Sequence, residues 1–177
     1  KTFLEKIIFH GNIFKRKFFI KWKNGDNVYV GVGQCAKVLS RDFASKIIWP
    51  EDAQEDAYTY LRLKELGLTF SIQFKAKIYM KNVDNIKDRI RRSRKFLDGV
   101  KTLEKYFIPD LISNEYKIQK VLILRHAIKE FGKDPFWISM YFLELLFTRT
   151  MLGFRTKIVT NKTTTFYEPY MSSKKLK

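Results

Sequence analysis

A chain of 177 residues with 45% hydrophobic and 16% aromatic side chains has enough apolar material for one buried core, which excludes a disordered tail. Its formal net charge of +17 calls for an anionic partner: nucleic acid, an anionic membrane surface or a phosphate-bearing substrate. The single cysteine, Cys35, excludes an internal disulfide and fits a reducing compartment, while His10 and His126, with no Cys/His cluster beside them, argue against a zinc site.

Residues 1 to 23 alternate apolar pairs with lysine and arginine. They read either as a basic helix lying on a core, with its lysine stems covering apolar surface, or as a membrane-surface segment. No signal-peptide pattern is visible, and a start at Lys1 rather than Met reads as a processed protein or as a piece of a longer one. Asn24-Gly25-Asp26-Asn27 reads as a turn and Val28 to Val32 as a short strand. Gly31 and Gly33 flank a place where the backbone can approach a partner closely, and a simple strand end is the other reading.

Ser40 is a candidate N-cap for a short helix that Trp49-Pro50 stops. Gln54 to Leu66 is the next helix, closed by Gly67, with Glu55 and Asp56 in its first turn. Acids there commonly cap or balance the helix dipole; the sharper reading makes Asp56 an ionised general base. Thr69 to Lys81 alternates without a break, Phe70, Ile72, Phe74, Ala76, Ile78 and Met80 against Ser71, Gln73, Lys75, Lys77, Tyr79 and Lys81. The pattern predicts a half-buried strand.

Asn85 to Phe107 follows as a helix. Between Lys81 and Lys105 there are nine Lys or Arg against four Asp or Glu, an excess of five. Arg91, Arg92, Arg94 and Lys95 crowd into five residues, a density that suits phosphate oxygens, although charge runs on helices are usually solvated faces. Pro109 ends that helix, Tyr116 to Phe131 reads as another closed by Gly132, and Asp134-Pro135 opens the last. Phe136 to Phe154 is nearly all apolar and, as a helix, would be about 28 Å long. A membrane span, an interfacial helix and a buried core helix all fit it, with Glu144 and Arg149 against a simple span. Residues 155 to 177 read as an extended pair, and Asn161-Lys162-Thr163 is a formal sequon of the kind that arises by chance.

The order Gly33, Ser40-Arg41-Asp42-Phe43, Glu55-Asp56-Ala57-Tyr58, strand, then Arg92-Ser93-Arg94-Lys95-Phe96 resembles the acceptor half of a family 2 glycosyltransferase of the GT-A type. The resemblance covers roughly Gly31 to Phe107, with an echo at Phe166 to Lys174. It departs at the Gln-x-x-Arg-Trp motif, where Arg92, Lys95 and Phe96 stand, or Arg91 and Arg94 in a shifted register. It also departs in having no Asp-x-Asp anywhere in the chain. The resemblance implies an α/β fold, the C-terminal half of a GT-A-type domain over residues 1–110. A helical and extended region over 111–177 would follow, with one amphipathic or membrane-associated helix. It implies inverting transfer from a nucleotide-sugar to a saccharide or lipid-linked acceptor, with Asp56 as base beside Glu55 and Gly33 and Gln34 on the acceptor side. Arg91, Arg92, Arg94 and Lys95 would face the leaving diphosphate. The divalent cation, Mg or Mn, would be held in the full-length enzyme by residues outside this chain, and the protein would be cytoplasmic, peripheral on the inner face of the membrane. The alternatives from composition are a basic nucleic-acid-binding module, which lacks a recognisable motif, and a membrane-surface interaction protein.

Overall fold

In the computed structural model of the chain, residues 2–32, 37–73, 75 and 85–156 are described, the side chains of 154–156 excepted. The described residues are 72% helical and contain no strand, so the α/β expectation is corrected: this part of the chain is all-helical. The helices are α1 (Phe3–Lys21), α2 (Val28–Gly31), α3 (Arg41–Ala44), α4 (Glu55–Glu65), α5 (Ile86–Leu103), α6 (Pro109–Tyr116), α7 (Lys120–Phe131) and α8 (Pro135–Thr156), with a 3-10 turn at Trp22–Gly25.

The expected strand at Val28 to Val32 is helix α2, and Asn27 is the reason. Its side-chain oxygen accepts from the Val30 N–H at 3.1 Å, while its amide donates to the carbonyls of Phe19 and Trp22 at 2.8 Å each. A fully buried cap with three bonds outweighs the weak β-preference of Val-Tyr-Val. The expected strand at Thr69 to Lys81 is overturned over residues 69–73 and Lys75, which have no strand structure; Phe74 and 76–81 lie outside the described residues. So does the extended pair expected beyond Thr156. Pro109 does not end α5, which stops at Leu103; it opens α6 instead, its missing N–H falling where a helix has no partner for one.

Other readings hold. The Ser40 hydroxyl accepts from Phe43 N–H at 3.3 Å at the start of α3. Gly67, at φ +69°, closes α4 with the paired bonds of a Schellman cap, Gly67 N–H to Lys64 and Leu68 N–H to Leu63, both 3.0 Å. Asp134 precedes α8, its carboxylate accepting from Trp137 N–H at 3.4 Å.

The chain divides into two compact units. The first comprises Lys1–Phe14, Tyr79–Phe96 and Ala127–Lys177; the second comprises Lys15–Ile78 and Leu97–His126. The core of the second gathers Val28, Phe43, Tyr58, Tyr60, Leu61, Leu103, Phe107 and Ile112. A Cβ on Gly31 would stand 2.5 Å from the Tyr60 ring, so α2 and α4 approach at a position only glycine fits. The core of the first unit is Ile7, Phe14, Ile138 and Tyr141, joining α1 to α8, and the Tyr141 ring fills the space a Cβ on Gly11 would need.

Candidate functional site

Glu55 and Asp56 occupy the first turn of α4, as their sequence position predicts. Glu55 is exposed, and its backbone carbonyl accepts from the Thr59 hydroxyl at 2.8 Å, which in turn accepts from Trp49 Nε1 at 2.8 Å. Asp56 is half-buried and ion-paired with Lys37. Nearby in the same unit, Asp52 accepts from Lys105 Nζ at 2.7 Å and from the Tyr106 hydroxyl. The Lys105 bond first, then the Tyr106 bond, holds its carboxyl below the ordinary range. Gly33 and Gln34 lie outside the described residues.

Tyr60 sits at the centre of a polar cluster in the second unit. Its hydroxyl lies 3.1 Å from both Asp26 Oδ1 and Glu115 Oε2, with Lys64 paired to Asp26 and Lys23 to Glu115 at 3.0 Å. Burial, then the charges of Glu115 and Asp26, push the Tyr60 phenol far up. The two carboxylates and two ammonium groups balance, so the cluster is a neutral brace rather than a charged site. A shallow groove of about 460 Å³ is lined by Glu104, Pro109, Ile112 and Ser113, none of them an expected site residue.

Arg91, Arg92, Arg94 and Lys95 fall on the part of α5 that belongs to the first unit, whereas Glu55 and Asp56 belong to the second. At about 100° per residue, Arg91, Arg94 and Lys95 share one face with Lys87, and Arg92 lies round the helix from them. Arg89 points the opposite way. It is buried, its Nε donating to Glu144 Oε1 at 2.8 Å and its Nη2 to Oε2 at 3.2 Å, and the Thr148 hydroxyl donates to Oε1 at 2.9 Å. This fork-to-fork pair explains how Glu144 survives in so apolar a helix. Burial above all pushes the neighbouring Tyr141 phenol up to about 12. Neither partner of the pair stands out in the sequence by type. The signal was available in their phase: Arg89 is out of step with the basic stripe, and Glu144 interrupts an apolar run.

Helix α8 is two-sided. Ile138, Tyr141, Glu144, Thr148 and Leu152 are buried on one side. Phe136, Leu143, Leu146, Phe147 and Met151 lie on the other, and Phe136, Leu143 and Leu146 are 56%, 58% and 62% exposed. Arg149 is exposed beside that face. At its start, Trp137 stacks on His10 at 4.7 Å and lies against Phe3 and Phe136 at 5.8 and 5.1 Å, while Asp134 holds His10 Nδ1 at 3.0 Å. No helix among the described residues is long and apolar enough to cross a membrane, and no group of three or more His, Cys, Asp or Glu among them is placed to hold a metal ion. No family model, curated protein or solved structure matches the chain.

Proposed function

We propose that the chain is a membrane-surface interaction protein that lays the outer face of α8 into the interface of an anionic bilayer. The observation that carries this reading is the face itself: five large apolar side chains, unshielded, on a helix whose opposite side is packed into a core. Scattered exposed leucines need no explanation, but a face built at helical spacing does. A helix with one face in the protein and one in the lipid interface need not span, and α8 does not have the length of uncharged apolar sequence to do so. The aromatic group at its start, Phe3, Phe136 and Trp137, is the kind found at headgroup level.

Charge selects the partner. A second copy of the chain would bring +17 against +17, whereas an anionic leaflet attracts each nearby Lys or Arg by about 1 kcal/mol. Sugar transfer by Asp56 drew its frame from an α/β fold that the described residues lack, and what supports it is motif order alone. The test is co-sedimentation with vesicles of phosphatidylglycerol and phosphatidylcholine. Leu143→Gln with Leu146→Gln removes about 2 kcal/mol of apolar transfer and weakens binding about thirtyfold. Binding unchanged in that variant would remove the α8 face from the role.

A further inference from the structure

The cations of α5 are arranged, not merely abundant. Lys87, Arg91, Arg94 and Lys95 stand at i, i+4, i+7 and i+8, within about 100° of one helix face and along about 12 Å of its length. Lys87, Arg91 and Lys95 are exposed and Arg94 is half-buried. The rotation of the helix is pinned from behind. Arg89, about 170° from the middle of the stripe, is locked to Glu144. At the stripe's edge, buried Asp88 is held by Asn85, whose amide donates to Asp88 Oδ2 at 2.9 Å while its oxygen accepts from Asp88 N–H at 2.9 Å. The acids of α5 are Asp88, buried at the edge of the stripe about 70° from its middle, and Asp98, past its far end. A line of outward cations fits a line of anions, and guanidinium forks match phosphate oxygens two at a time.

We infer that this face of α5 docks the phosphate backbone of a nucleic acid, without reading its bases. A linear row suits a linear polyanion better than a plane of headgroups does, and the stripe lies on the far side of α5 from the pair that joins it to α8. The inference is independent of the membrane reading, which uses other residues.

The experiment is fluorescence anisotropy of the full chain with labelled oligothymidylate across a salt series. Four phosphate contacts give a slope of log K against log salt of about −3. Lys87→Gln with Arg94→Gln brings that slope to about −1.5 and lowers affinity about twentyfold at 0.1 M salt. Arg92→Gln, equal in charge change per residue but off the stripe, leaves the slope within about half a unit of the parent. Circular dichroism of each variant checks that the helix content is retained. Absence of salt-dependent binding, or an equal effect per residue from Arg92→Gln, overturns the inference. So does loss of binding to anionic vesicles, with oligonucleotide binding intact, in the Lys87/Arg94 variant, because that assigns the stripe to headgroups.

Discussion

Tyr60 is the residue on which the second unit's polar balance turns. Its hydroxyl bridges Asp26 and Glu115, and burial with those two charges raises its pKa above the phenol's usual value near 10. A raised acid holds its proton more tightly when folded, so its contribution is fully present below about pH 10 and is lost as pH climbs beyond. Chemical denaturation at pH 8 and pH 11 should therefore show a fall in stability that Tyr60→Phe reduces. An identical fall in the phenylalanine variant contradicts the assignment. Residue positions such as Asp56 in a first helical turn were legible, because caps and helix starts are written locally. Its partner Lys37 was not, because nothing local to either residue records a contact across 19 positions.

At the scale of elements, helix ends with a local cap were legible, while the ends of α3 and α5 and the short strands were not. Gly67, Ser40 and Asp134-Pro135 each act within four residues of where they stand, so their chemistry can be read directly. Val28-Tyr29-Val30 reads as strand by residue type, and only the reach of Asn27 back to Phe19 and Trp22 reverses it. Asn27→Ala leaves two part-buried carbonyls and one buried N–H without their side-chain partner and should cost about 2–4 kcal/mol in equilibrium urea denaturation. A loss below about 0.5 kcal/mol would mean that α2 does not depend on that cap. The apolar run of α8 left span, interface and core open because type alone does not say which side is covered. Among the described residues one side is core and the other is exposed.

For the whole molecule, the alternation at residues 69 to 81 and the motif order suggested an α/β frame, and the described residues are instead helical throughout their regular structure. Period-2 patterning marks a strand only where a neighbouring strand exists to pair with it, and none occurs among the described residues. What the composition supplies independently of the fold is the charge, since +17 on a chain of this size persists whatever the architecture. The most direct measurement of the membrane reading is the depth of α8, taken with a nitroxide on a cysteine placed at position 146 in a Cys35→Ser background. With phosphatidylglycerol vesicles added, collisions with lipid-dissolved oxygen should rise and collisions with an aqueous nickel chelate should fall. If both stay at their values in buffer while the protein is bound, the outer face of α8 does not enter the bilayer and the account is wrong.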